Sequence, residues 1–258
     1  MKKSIVLITV LFVFHQSMAQ VQRTETEHFK AKYDKEVEAY ATASLKVLEA
    51  VWTIASNNGF YLPEKTKFTL VASERNALYF DRKSLKEITW EYQSLDDFLP
   101  PDRSRKNNIY GLCHEMGHLC MHHTNHNRNS WMSHDYRESW ADYFGNMLID
   151  SIHKELGIDF WPEPHDYTQY AGMEHFLQRI EKDHPKLLSF NKAGLFWYEL
   201  GKKIGFSQFF RFFESINSQK VDNPGAKGKF AEVLSDYLDS EAMEDWYLHY
   251  ADYLILNK

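Results

Sequence analysis

The sequence predicts an α+β protein: a small, mostly antiparallel sheet with helices in the N-terminal part, then a run of helices to the C-terminus. Between residues 24 and 92 apolar and polar side chains alternate in short runs, the period of strands with one buried face. From residue 111 onward apolar residues recur every three or four positions, the period of helices packed on one face. Size is the third observation. At 258 residues and 16% aromatic the chain suits one domain, or two small subdomains around a cleft, and most of its Phe, Tyr and Trp must be core.

In chain order, Thr24–Tyr33 places Phe29, Ala31 and Tyr33 on one side and Lys30 and Lys32 on the other, which reads as a half-buried strand. Lys35–Asn58 carries a helical stripe through Val37, Tyr40, Ala41, Leu48, Val51 and Ile54, ended by Asn57-Asn58-Gly59. Lys67–Val71 is a strand, and Ala77–Phe80 with Glu87–Tyr92 forms a hairpin through Asp81–Ser84. Leu99–Arg105, with two prolines, is a loop leading into the next helix. Further helices are expected over Glu138–Ile152, Tyr170–Lys182, Asn191–Ile204, Phe206–Ile216, Ala231–Leu238 and Glu241–Leu254, with a break at Trp161–Asp166 and a turn over Val221–Lys229.

Met1-Lys2-Lys3, the apolar run Ser4–Phe14 and the small residues Ser17 and Ala19 read as a secretory signal cut after Ala19. The apolar run is too short to span a bilayer, so the mature chain is expected to be secreted or periplasmic, without a membrane span. The expected organisation is signal 1–19, an α+β part 20–110 and a helical part 111–258 that forms one unit with it. Net charge is −6 and no basic stripe is present, which argues against nucleic acid as a partner. The two cysteines, Cys113 and Cys120, lie seven apart on one predicted helix. At about 1.5 Å rise per residue they are roughly 10 Å apart, too far for a disulfide, and read as small buried hydrophobes.

The chemistry concentrates in Gly111–Met121. His114 and His118 are four apart, so on a helix they share a face and can converge on one metal ion. Glu115 stands beside them, where a carboxylate could act as general base. This is the HExxH pattern of zinc metallopeptidases. After nineteen intervening residues comes Glu138-Ser139-Trp140-Ala141-Asp142, an ExxAD segment. Glu138 and Asp142 are again i and i+4 on one helix face.

HExxH followed at this distance by ExxAD resembles the gluzincins, the superfamily of thermolysin and the aminopeptidase-N-like enzymes. The resemblance spans Gly111–Gly145. It implies a zincin-like fold, one Zn²⁺ per chain held by His114, His118 and Glu138, Glu115 as general base, and Asp142 as the carboxylate behind a zinc-bound imidazole. A ligating His normally donates its other ring N–H to such a group. Schemes with Asp135 or Asp142 as third ligand stay open. A metzincin does not fit, because Met121 and Thr124 stand where Gly and His are needed.

The resemblance further implies that a sheet edge before the helix binds the substrate main chain. Glu87–Tyr92 is the candidate, or else an ordinary edge strand guarded by its charges. A faint likeness continues at Phe190–Gly194, but the position comparable to the oxyanion-stabilising Tyr holds Phe190. Tyr136, Tyr167, Tyr170 and His184 are substitutes, or plain structural residues. Gly117 inside the helix implies close approach of the Glu138 helix. His122, His123, His126 and His134 crowd what reads as a loop, as solvated side chains or a second metal site.

The expected function is an exported zinc metallopeptidase acting on a peptide or protein. The alternatives are a metal-retaining but inactive binding scaffold, or a zinc hydrolase of a non-protein or cell-wall peptide substrate. Cleavage preference and oligomeric state are not encoded in any motif of the chain.

Overall fold

A computed structural model describes residues 20–124, 134–182, 189–219 and 227–249. The expected signal, His126 and His184 lie outside the described residues, as does the side chain of Phe190. The fold is α+β: a five-stranded open sheet and, among the described residues, eight α-helices.

The strands are β1 (Val21–Glu25), β2 (Phe29–Asp34), β3 (Thr66–Ala72), β4 (Ala77–Phe80) and β5 (Glu87–Tyr92). In space they run β1-β2-β3-β5-β4. The expected single strand Thr24–Tyr33 is in fact split. Thr26–His28 turns the chain so that β1 pairs back on β2, with Thr24 opposite Ala31. No Gly or Pro marks that turn. The alternation expected for β2 holds, with Phe29, Ala31 and Tyr33 buried and Lys30 and Lys32 exposed.

The expectation of a mostly antiparallel sheet is corrected. β1–β2 and β4–β5 are antiparallel, but β2–β3 and β3–β5 are parallel. A parallel neighbour needs a crossover, and α1 (Glu38–Asn57) supplies it between β2 and β3. Its buried stripe of Tyr40, Ala41, Leu45, Leu48 and Val51 belongs to the same core as the sheet residues Phe29, Phe68 and Leu70. The β4–β5 hairpin forms with the expected limits. It is β4, however, that lies at the end of the sheet, while β5 is interior. Glu87–Tyr92 is therefore not the edge.

α2 (Asn108–Thr124) and α3 (His134–Leu156) form the centre of the molecule. They pack closely because each offers a glycine to the other. A Cβ on Gly117 would come 3.0 Å from Ala141 Cα and 3.1 Å from Phe144 Cβ, and one on Gly145 would come 3.2 Å from the His114 backbone nitrogen. The close approach that Gly117 implies is thus present. Trp140 pins the pair. Its indole N–H donates to the Gly117 carbonyl at 3.1 Å, and its ring packs against Phe60, Phe144, Trp197, Phe209 and Phe213. Cys113 and Cys120 are free and fully buried in this core.

The remaining helices are α4 (Met173–Lys182), α5 (Ser189–Ile204), α6 (Phe209–Ser218), α7 (Lys227–Ser235) and α8 (Ser240–His249). α4 and α7 end or start some residues away from the expected limits, and the part of Val221–Lys229 that is described is helical rather than a turn. His122 and His123 sit in the last turn of α2 and His134 opens α3, so none of the three is on a loop. Among the described residues no helix is long and apolar enough to cross a membrane.

Candidate metal centre

α2 presents His114 and His118 one turn apart, with ring centroids 4.9 Å from each other and planes nearly perpendicular. α3 brings Glu138 across from them. Its Oε2 lies 3.6 Å from His114 Nε2 and 3.2 Å from His118 Nε2. One donor atom from each of the three lies within 4.8 Å of the others, close enough to hold a metal ion. Among the described residues this is the group of His, Cys, Asp and Glu that can do so. Asp135 and Asp142 are not part of it, so the schemes with an aspartate third ligand do not fit the geometry.

Asp142 instead stands behind His114. Its Oδ1 is 3.0 Å from His114 Nδ1 and also accepts the Tyr110 hydroxyl, while its Oδ2 accepts Arg179 Nη2 at 2.7 Å. With Nδ1 occupied by Asp142, Nε2 is the ring atom that faces His118 and Glu138, as a ligand must. Burial pushes the Asp142 carboxyl up, but the His114 hydrogen bond and the Arg179 charge outweigh it and hold it below the usual Asp range. Burial likewise pushes His114 down, and its hydrogen bonds to Asp142 and Glu138 reverse this and raise it to about 10. Without metal, these hydrogen bonds favour the protonated form of His114. Burial and the adjacent Asp142 charge push the Tyr110 phenol well up, so it stays a donor.

Glu138 divides its two oxygens. Oε2 faces the imidazoles, and Oε1 accepts Arg82 from the β4–β5 loop, with His134 Nε2 3.5 Å away. Burial opposes its charge, but hydrogen bonds from His114 and His118 hold it far below the usual carboxylate range.

Glu115 is 9% exposed. Its Oε2 accepts the backbone N–H of Phe80, the last residue of β4, at 2.7 Å, and its Oε1 lies 4.0 Å from His114 Nε2. Burial raises its carboxyl, and His114, His118 and the Phe80 N–H offset this only in part. A carboxylate moved upward from its normal range is closer to what a general base at neutral pH needs.

His122 continues the His114–His118 stripe but leaves the cluster. It packs against Phe80 with centroids 5.3 Å apart, and burial lowers it to about 4, so it is neutral and apolar in role. His123 Nε2 bonds the Leu85 carbonyl at 2.6 Å, and Leu85 holds a left-handed φ of 57°. This fastens the β4–β5 loop to the end of α2 and places Arg82 over Glu138.

A cleft of about 440 Å³ opens beside His114, Glu115 and Asp142, walled by Tyr110, Leu78 and Tyr170. Of the tyrosines singled out from the sequence, Tyr170 is at this cleft and 40% exposed, whereas Tyr136 and Tyr167 are fully buried. Three partners were not anticipated: Tyr110, Arg179 and Arg82. Only Tyr110 carries a local signal, since it precedes His114 by one turn on the same face. The chain matches no family model and no curated protein.

Proposed function

We propose that this chain is an exported zinc-dependent metallopeptidase of the gluzincin type, with a zincin-like arrangement of sheet edge, HExxH helix and third-ligand helix. The convergence of His114, His118 and Glu138, with Glu115 beside them, carries the reading. Two imidazole nitrogens and one carboxylate oxygen suit Zn²⁺ better than Ca²⁺ or Mg²⁺, which take oxygen ligands. A zinc ion in that group would supply Lewis acidity, polarising the scissile carbonyl and acidifying a water. Glu115 Oε1, the oxygen not engaged by Phe80, takes the proton of the attacking water and passes it to the leaving nitrogen. Asp142 keeps His114 in the orientation that exposes Nε2. β4 rather than β5 is the outer strand, and its Leu78, with Asn76 just before it, borders the cleft, so an extended peptide main chain would add there.

The test is turnover of unfolded casein by the zinc-loaded chain, beside Glu115→Gln. The variant is expected to keep one equivalent of zinc and lose on the order of 10²–10⁴-fold in rate. Wild-type turnover in that variant contradicts the assignment of the base. Hydrolysis of muropeptides but not casein moves the substrate to the cell wall, and zinc binding without turnover of either leaves a scaffold.

A further inference from the structure

The cleft beside His114 and Glu115 has a basic wall. Arg105 and Lys106, in the exposed loop that enters α2, line it together with Asn76 and Asn108. Arg105 approaches Asp102 only to 3.4 Å, between side chains 44% and 46% exposed, a pair that water and salt weaken. Lys106 makes no ion pair or hydrogen bond among the described residues. Of the two acids that line the cleft, Asp142 is compensated by Arg179 and His114, and Glu115 lies 4.0 Å from His114. The N-terminus of α2, a 17-residue helix, adds positive potential at the same wall.

We propose that this wall is a carboxylate subsite built on Arg105 and Lys106, so that preferred substrates carry an acidic side chain or a free C-terminal carboxylate within a residue or two of the scissile bond. The proposal rests on the hydrolytic reading above for the word substrate, but not for the binding itself. A carboxylate meeting both cations makes charge-assisted hydrogen bonds that its amide cannot match. The two sources of carboxylate differ in position, and peptides can separate them.

The experiment uses three peptides of one sequence: one with a Glu side chain and an amidated end, one with Gln and a free C-terminus, and one with Gln and an amidated end. Their binding to the zinc-loaded Glu115→Gln chain is followed by fluorescence anisotropy. One of the charged peptides is expected to bind about tenfold tighter than the neutral one. The advantage should shrink between about 0.05 M and about 0.3 M salt. Arg105→Ala with Lys106→Ala, both at exposed loop positions, should bring the ratio to about one, and Lys106→Glu should take it below that of the wild-type loop. Equal binding of all three peptides, or a ratio that survives the double substitution, overturns the subsite. An intact ratio with no cleavage of any of them by the Glu115 protein would instead overturn the hydrolytic reading and leave the subsite in place.

Discussion

His114 is held from behind by Asp142, a buried carboxylate with three side-chain partners, whereas Glu138, across the same cluster, is more exposed and leans on an arginine from a loop. At the His114 end, Asp142 is 9% exposed at its side chain and receives Tyr110, His114 and Arg179. These partners come from α2 and α4, which are packed on α3. At the Glu138 end the side chain is 20% exposed, and Arg82, 49% exposed, reaches it from a loop. The contrast separates two duties. One end fixes the direction of an imidazole before any metal arrives. The other neutralises a carboxylate with a cation that a metal ion can relieve, since a ligated Glu138 no longer needs Arg82.

The largest expected effect is at Glu138 itself. Glu138→Ala removes a donor from the group of three, and metal affinity should fall by more than about 100-fold, beyond the loss typical of an outer partner. Competition with a chelator measures it. An affinity within tenfold of wild type would mean that Glu138 only pairs with Arg82.

Asp142→Asn should cost about 10–100-fold in metal affinity. The structure adds the Arg179 ion pair and the Tyr110 hydrogen bond, so the variant should also lose about 1–3 kcal/mol of stability in urea unfolding of the metal-free chain. Its pH dependence has a definite sign. The Asp142 carboxyl is depressed in the folded state, so its contribution is present above the ordinary Asp range of about 3.9 and lost as pH falls through the folded value. The acid limb of the stability profile should therefore be flatter in Asp142→Asn. An unchanged limb would place Asp142 among groups that do not discriminate folded from unfolded chain.

Metal binding near pH 7 should also displace the proton that His114 carries in the metal-free site, where its pKa is raised to about 10. Calorimetry in buffers of different ionisation enthalpy should find about one proton released. None released would mean that His114 is neutral before metal binds.

Tyr110→Phe is smaller in its effect on the metal: affinity should fall only several-fold because His114 keeps Asp142, while the loss of one hydrogen bond to a charged acceptor costs no more stability than Asp142→Asn. Arg82→Ala is smallest. An exposed pair is worth about 0–1 kcal/mol, and zinc affinity should shift by less than about threefold. If Arg82→Ala matched Asp142→Asn in either measurement, the contrast between the two ends would fail.

What could be read from the sequence follows the same division. The placement of His114 with His118, and of Glu138 with Asp142, was legible because each pair is spaced i, i+4, which a helix converts directly into a shared face, and Glu115 adjoins the first pair in sequence. The parallel pairings were not, because strand order in space is not strand order in sequence. β5 lies between β3 and β4 although β4 precedes it. The β1–β2 turn at Thr26–His28 escaped for lack of Gly or Pro. Arg82 and Arg179 meet their carboxylates across 56 and 37 residues, and no local pattern encodes such a pairing.

The most direct test of the central claim, that His114, His118 and Glu138 together hold one metal ion, is metal analysis after stripping with chelator and dialysis against zinc. Wild type and Glu115→Gln should each retain one equivalent per chain, and His118→Ala combined with Glu138→Ala should retain none. Stoichiometric, chelator-resistant zinc in the double variant, or none in the wild type, would contradict it.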